Sequence, residues 1–193
     1  CAPTMTNAQA IKKEILENYT QEDYQIFLQK ERNGEIPIQG GPVAFRSAGD
    51  VLVNDNSGAT TTSQFTQSET SILAFGNNVV VGYNDAGSFN GGANKFTGWS
   101  YSSDGGATFT DGGTLPTNPG GDAGDPVLAR DDVTGRIYYS TLQFVGNGIP
   151  IYRSDDNGQS WALPTQGAPG MSGFSDKQWI AVDNYAGTGQ GNV

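Results

Sequence analysis

Three acidic residues, Glu69, Asp125 and Asp176, each stand shortly before a strand-like run of apolar residues. Carboxylates brought together in this way can bind sugar hydroxyls, hold a Ca²⁺ ion or supply a general acid for glycoside hydrolysis. Each acid could instead cap the strand that follows it, or pair with a nearby lysine or arginine. The three residues predict a ligand-binding cluster, with Ca²⁺ as one candidate occupant.

The loops after the second strand of each unit add aromatic and amide side chains. Asn84, Asp85 and Phe89 occupy the first of these loops, and Phe144 and Asn147 occupy the second. An aromatic ring can stack against a sugar, and an amide can hydrogen-bond its hydroxyl groups. The residues predicted to bind ligand are Glu69, Asp85, Asp125, Phe144 and Asp176.

Two octets of similar sequence, residues 102–109 and 154–161, set the positions of these loops. Both follow the pattern S-x-D-x-G-x-[ST]-[WF], and they lie 52 residues apart. The aspartate and glycine favour a tight turn, over which the closing aromatic ring can pack. Repetition at this spacing is typical of propeller blades. The predicted structural residues of the turns are Ser102, Asp104, Gly106, Phe109, Ser154, Asp156, Gly158 and Trp161.

The octets resemble the Asp-box, or BNR repeat, of the sialidase-like β-propeller superfamily. The resemblance implies an all-β fold of propeller blades, with each octet in the turn between the third and fourth strands of a blade. It also implies that the octets are structural and that ligands bind at the opposite face. We therefore expect Glu69, Asp125 and Asp176 around the propeller axis, away from Asp104 and Asp156.

The resemblance further implies a catalytic set, because sialidases use three arginines, a tyrosine nucleophile assisted by glutamate, and an aspartate acid-base. Ala44-Phe45-Arg46-Ser47 is similar to the motif of the first arginine but lacks its Ile-Pro continuation. The other arginines fall on predicted helix, strand or hairpin positions. Arg46 and Asp85 are the catalytic candidates that remain.

The repeats divide residues 46–193 into two complete blades and the start of a third. Blade one covers about 65–116, with strands at 71–75, 79–83, 96–102 and 108–115. Blade two covers about 124–166, with strands at 126–130, 136–142, 149–153 and 160–163. The third unit covers about 175–193, with a first strand at 178–182. Because a closed propeller has at least four blades, we expect the chain to be an N-terminal portion, completed by further residues or by another chain. A short stand-alone β fold is the alternative.

Residues 1–45 predict a helical arm and a loop. Ile11, Ile15, Leu16 and Tyr19 recur at helical spacing, and a glycine- and proline-rich loop follows. The single cysteine, Cys1, resembles the lipid-bearing cysteine of bacterial lipoproteins, or marks a chain boundary. We expect a secreted or surface-anchored protein, with any membrane attachment made through a lipid on Cys1.

Composition narrows the function. The 193 residues carry a net charge of −10 and contain no histidine, so neither a nucleic-acid partner nor imidazole chemistry is expected. Three functions stay open: a propeller that binds glycan or another extracellular ligand, an exo-glycosidase completed by residues beyond Val193, and an assembly module using the helical arm and an open blade edge.

Overall fold

The computed structural model describes Gln29, Asn33 and residues 51–55, 66–88, 95–146, 148–167 and 175–193. The chain divides into two compact units, residues 1–43 and 44–193, and every strand belongs to the second. Apart from Gln29 and Asn33, the predicted helical arm lies outside the described residues, as do Cys1 and Arg46. Among the residues that are described, no helix is long and apolar enough to cross a membrane.

In the described part of the chain, eight strands form two antiparallel sheets, each with its four strands in chain order. The first sheet consists of β1 (Gln67–Phe75), β2 (Asn78–Asp85), β3 (Thr97–Ser102) and β4 (Thr110–Thr114). The second consists of β5 (Val127–Arg130), β6 (Ile137–Ser140), β7 (Pro150–Ser154) and β8 (Thr165–Gln166). The described part of the second unit is thus all-β, as predicted, and each sheet has the strand order of a propeller blade. The number of blades and the closure of a ring stay predictions.

Two strand predictions differ from the structure. The fourth strand of the second sheet was expected at 160–163, but β8 comes later, at Thr165–Gln166. Trp161 instead fills the core, and Pro164, which has no N–H to donate, interrupts the pairing between the Ala162 N–H···Arg153 O bond and β8. No strand forms at 178–182, because a strand needs a paired neighbour and these residues have none in the described part of the chain.

The third unit nevertheless begins like the second. In the turn after β5, the Asp131 N–H donates to Arg136 O at 2.9 Å and the Gly135 N–H donates to Asp131 O at 2.8 Å. The Asp183 N–H donates to Asn192 O and the Gly191 N–H to Asp183 O, at 2.9 and 2.8 Å. The turn at 183–192 is therefore a longer version of the turn at 131–136.

A single hydrophobic core lies between the two sheets. Its buried residues come from both sheets: Val80, Trp99, Leu115, Leu128, Ile137, Tyr139, Tyr152 and Trp161. Trp161 packs against Trp99 edge to face, with ring centroids 6.4 Å apart, and against Tyr139 at 5.1 Å. Aromatic pairs of this geometry add stabilisation beyond the apolar area that they bury. The sheets thus face each other as adjacent blades do.

Glycines let the second sheet approach the first closely. The Tyr139 hydroxyl donates to Gly98 O at 2.8 Å, and a Cβ added at Gly82 would stand 2.4 Å from that hydroxyl oxygen. In the other direction, Trp99 Nε1 donates to Gly158 O at 3.0 Å. The glycines at these positions are required by the approach of a side chain or backbone from the neighbouring sheet.

A buried aspartate also joins the sheets. Asp122, in the connection from β4 to β5, is 1% exposed and accepts the backbone N–H groups of Phe96 and Thr97 at 2.9 and 2.6 Å. Burial raises the pKa of Asp122, although these hydrogen bonds oppose the shift. This clamp fixes the connection between the sheets against the start of β3.

Candidate ligand-binding site

The turns of the two octets, residues 102–109 and 154–161, form at one end of the strands, between β3 and β4 and after β7, as predicted. In the first turn, Ser102 Oγ donates to Asp104 Oδ1 at 2.7 Å and accepts the Gly106 N–H at 2.9 Å. The second carboxylate oxygen of Asp104 accepts the hydroxyl of Thr108 at 2.6 Å. The second turn repeats these bonds with Ser154, Asp156, Gly158 and Ser160.

Hydrogen bonding holds the box aspartates ionised. The hydroxyl and N–H of Thr108, with Ser102, lower the pKa of Asp104 to about 2. Partial burial opposes the shift at Asp156, but hydrogen bonds from Ser160 and Ser154 outweigh it and its pKa is also lowered. Both oxygens of each carboxylate accept hydrogen bonds from their own turn. Their predicted structural role fits this geometry.

The opposite end of the strands carries an unusual backbone feature. Glu69, Asp125 and Lys177 have left-handed φ angles of 51°, 53° and 60°. Asp125 lies two residues before β5, Lys177 holds the corresponding position of the third unit, and Glu69 lies inside β1, where the β1–β2 register shifts. Left-handed conformations of residues other than glycine are uncommon, and strained backbone is concentrated at functional sites. The repeat therefore places a strained residue at the same point three times.

The side chains of these residues form the acid–lysine cluster, defined as Glu69, Asp125 and Lys177. Lys177 Nζ donates to Glu69 Oε2 at 2.5 Å, joining units that are 108 residues apart. The Asp125 N–H donates to Asn84 Oδ1 at 2.7 Å, and the Asn84 amide returns a long bond of 3.5 Å to Asp125 Oδ1. The three repeats thus converge on one group of ionisable side chains.

The two carboxyl groups of the cluster have opposite pKa shifts. The Lys177 ammonium holds the pKa of Glu69 below its usual value, and a hydrogen bond with Asp125 lowers it further. Partial burial raises the pKa of Asp125, and the neighbouring Glu69 carboxyl adds to the rise. Glu69 in turn raises the pKa of Lys177. Lys177 thus favours the ionised form of Glu69, and Asp125 is the more easily protonated of the two carboxyl groups.

One amide group and one hydroxyl group beside the cluster have unused hydrogen-bonding capacity. Gln178 Nε2 donates to Asp125 O, whereas Gln178 Oε1 is buried and bonds to none of the described residues. Ser175 Oγ is in the same situation. A buried polar group without a partner is one that water or a ligand would satisfy.

The prediction for the third unit is wrong by one residue. Asp176 was expected at the position equivalent to Glu69 and Asp125, but Lys177 has the left-handed backbone and makes the contact with Glu69. Asp176 is exposed. The third unit therefore contributes a cation to the cluster where an acid was predicted.

This difference removes the basis for the predicted Ca²⁺ site. Among the described residues, no three acidic side chains come close enough to share a metal ion, so Glu69, Asp125 and Asp176 do not form a ligand set. The Lys177 ammonium already compensates the Glu69 carboxylate. A hard cation would have to compete with that ammonium for two carboxyl groups, one of which has a raised pKa.

The other predicted ligand residues lie near the cluster or outside the described chain. Asp85 is engaged in its own turn: Oδ1 accepts Gln67 Nε2 and the Gly87 N–H, each at 3.0 Å, and Oδ2 accepts the Ser88 hydroxyl. It is not part of the cluster. Phe144 lies in the β6–β7 loop at the same end of the strands and is 43% exposed. Phe89 and Asn147 lie outside the described residues.

Sequence reasoning missed Lys177, Gln178 and Asp122. A signal for Lys177 exists, because Leu128-Ala129-Arg130-Asp131 and Ile180-Ala181-Val182-Asp183 match at a spacing of 52 residues. That spacing equals the distance between the octets and pairs Asp125 with Lys177. Asp122 has no such signal, since its bonds to β3 depend on the packing of two sheets.

No protein-family model matches the chain. No curated protein sequence is significantly similar to it. Among solved structures, similar ones include a β-xylosidase, with a TM-score of 0.35 and 14% identity over 51% of this chain and 35% of that one. A GH43 enzyme from Xanthomonas citri complexed with xylose has a TM-score of 0.36 and 14% identity, covering 51% of this chain and 32% of that one.

An exo-β-1,3-galactanase from Clostridium thermocellum has a TM-score of 0.39 and 13% identity, covering 60% of this chain and 27% of that one. The chain spans about a third of the length of the structures it matches, or less. At these scores the similarities carry no argument about fold or activity. Membership of the sialidase-like superfamily stays a prediction.

Proposed function

We propose that the chain is part of a secreted or surface-anchored sialidase-like β-propeller that binds a glycan at the acid–lysine cluster. The observation that carries the proposal is the convergence of Glu69, Asp125 and Lys177, each with a left-handed backbone, from three repeats onto one point. Fixed carboxylate, ammonium and amide groups within a few ångströms of each other are suited to recognise the hydroxyl groups of a sugar.

The cluster favours this role over a purely structural one for a second reason. The turns of the two octets show what a structural aspartate looks like here: both oxygens accept hydrogen bonds from within eight residues of chain. At the cluster, by contrast, side chains from distant repeats meet at the surface, where Glu69 and Lys177 are each more than 40% exposed. Ion pairs at this exposure contribute little to stability, so stability alone does not account for three strained residues.

The binding proposal is tested with a glycan array probed by the protein carrying Glu69→Gln and Lys177→Met together. These changes remove both charges and keep the side-chain shapes. Because charge-assisted hydrogen bonds are lost, affinity for the best array ligand should fall about tenfold or more. Asp104→Asn, at the other end of the strands, is the matched control and should bind as wild type. Unchanged binding by the double variant contradicts the proposal.

A second candidate, an exo-glycosidase, is favoured by the opposite pKa shifts of the two carboxyl groups. A carboxyl group with a raised pKa beside one with a lowered pKa is the arrangement typical of a general acid and its partner. Asp125→Asn retains the shape and the hydrogen bonds of the side chain but cannot release a proton. If the protein hydrolyses aryl glycosides, this variant should lose the activity and keep glycan binding. The absence of hydrolysis by the wild-type protein across an aryl-glycoside panel rules out this candidate.

A further inference from the structure

A cavity lies beside the second sheet, at the same end of the strands as the acid–lysine cluster. It has a volume of about 490 Å³ and is bounded by the β4–β5 connection, the β6–β7 loop and β8. None of its lining residues is charged, although the chain carries 30 charged side chains. Its side-chain amides come from Asn118, Gln143 and Gln166, and its apolar wall comes from Pro119, Val145, Leu163 and Pro164.

The amides of this cavity are held in fixed positions. Gln166 Nε2 donates to Gln143 Oε1 at 3.0 Å, and Gln143 Nε2 donates to Val145 O at 2.7 Å. Asn118 Nδ2 donates to the Tyr152 hydroxyl at 2.6 Å, which ties the cavity floor to the core. Since an amide has two N–H donors and an oxygen with two lone pairs, Gln143 and Gln166 keep capacity beyond these bonds.

Two glycines make room for the amides. A Cβ at Gly120 would stand 2.7 Å from Gln143 Oε1, and a Cβ at Gly148 would stand 2.0 Å from Gln166 Oε1. Neither glycine has a left-handed φ, so the backbone conformation does not require glycine at these positions. A side chain at either position would instead displace the end of a glutamine side chain, which can move. The two glycines thus leave room for the glutamine amides.

The apolar side chains of the cavity wall are exposed and could pack against a ligand. Leu163 is 69% exposed and Val145 is 58% exposed, and both lie beside the amides. Uncharged hydrogen-bonding groups beside apolar surface match a sugar, which has hydroxyl groups on its rim and C–H groups on its faces. A charged ligand would find no counter-charge among these lining residues, and the net charge of −10 repels anions.

We propose that this cavity is a carbohydrate subsite that takes one or two units of an uncharged oligosaccharide. The proposal rests on the proposed function only for the position of the remaining glycan, whose other end would lie at the acid–lysine cluster. The proposed ligand is a neutral glycan of more than one unit. It differs from the acidic sugar that a sialidase, with its three arginines, would bind.

The test uses calorimetric titration with cello-, xylo-, galacto- and manno-oligosaccharides of one to six units, and with a sialylated trisaccharide. Three variants change the cavity: Leu163→Asp adds a charge at an exposed position, Gly148→Ala displaces the Gln166 amide, and Gln143→Ala removes an amide. Val133→Asp is the matched control, because Val133 is 63% exposed in the turn at 131–136, at the Asp-box end.

We expect the wild type to bind a neutral series with affinity that increases with chain length, and each cavity variant to weaken the longest members about tenfold. The shortest bound member and the control variant should be unaffected. Equal affinity of wild type and cavity variants for every length overturns the proposal, as does tighter binding of the sialylated trisaccharide than of any neutral sugar. If cavity variants lose binding but Glu69→Gln/Lys177→Met does not, the subsite stands and the proposed function at the cluster fails.

Discussion

The two ends of the strands use aspartate in opposite ways. At the Asp-box end, both oxygens of Asp104 and of Asp156 accept hydrogen bonds from their own turns, and the two copies have the same bonds. At the other end, Asp125 gains its partners from distant repeats and its pKa is raised. The repeats thus have the same turn geometry at one end of the strands. At the other end they contribute different side chains to one group. Three experiments test this contrast.

The largest effect is expected from the glycine at the fifth position of each octet. Gly158 has φ +84° and a Cβ there would stand 2.4 Å from Val80 Cγ2, whereas at Gly106, with φ +87°, the nearest atoms are 3.9 Å away. Gly158→Ala should lower the free energy of unfolding by about 3 kcal/mol or more, because strain and overpacking add. Gly106→Ala should cost about 1–2 kcal/mol from backbone strain alone. Urea titration of both variants measures the difference, and equal losses would show that the boxes are equally enclosed.

An intermediate effect is expected at the box aspartates. Asp156→Asn should lower the free energy of unfolding by about 1 kcal/mol at neutral pH, because charge-assisted hydrogen bonds are replaced by neutral ones. The pKa of Asp156 is lowered by folding, so its contribution is present above the unfolded pKa of about 4 and is lost as pH falls below it. Urea midpoints of variant and wild type should therefore converge between neutral pH and pH of about 2. A difference that persists undiminished in acid argues against this account.

The smallest effect, with the opposite sign, is expected at the cluster. The pKa of Asp125 is raised by folding, so the stability that it contributes is present below its unfolded pKa and is lost as pH rises through the folded pKa. Asp125→Asn should raise the free energy of unfolding by about 0.5 kcal/mol at pH 7, after allowance for solvent screening. It should have no effect below the unfolded pKa.

Asparagine also tolerates the left-handed backbone that Asp125 adopts. Thermal melts at neutral and acid pH make the comparison with Asp156→Asn direct. A loss of stability at neutral pH would show that Asp125 is a structural residue like those of the boxes.

Local chemistry explains what could be predicted from sequence. The box turns were predictable because their bonds join residues within a single octet, and two copies in register set the polarity of the sheets. The existence of a cluster opposite the boxes followed from that polarity. The one-residue error at Asp176 arose because an acid was sought before the third strand-like run, whereas the 52-residue repeat pairs Asp125 with Lys177. Asp85 was placed with the ligand residues because sequence does not show that a carboxylate bonds to its own turn.

Contacts between sheets explain what could not be predicted. The late start of β8 depends on Trp161 entering a core that β3 and β6 complete. Asp122 is a polar residue in a loop by sequence, and only the position of β3 makes it a buried acceptor. The cavity lined by Gln143 and Gln166 is likewise formed by three separate segments of the chain. In each case the deciding partner is distant in the chain, and no periodicity points to it.

The fit of Tyr139 into the notch at Gly82, from which its hydroxyl reaches Gly98 O, bears on how such a chain could change during evolution. A repeat architecture suggests that units could be duplicated, exchanged or permuted like interchangeable parts. Here the first unit contains the notch and the second contains the tyrosine side chain that fills it. The two units therefore fit together only in this order. A recombinant in which another repeat followed the first would inherit an empty notch or a steric clash. The two units share the same strand order and turns, but the contact between them makes each unit specific to its neighbour.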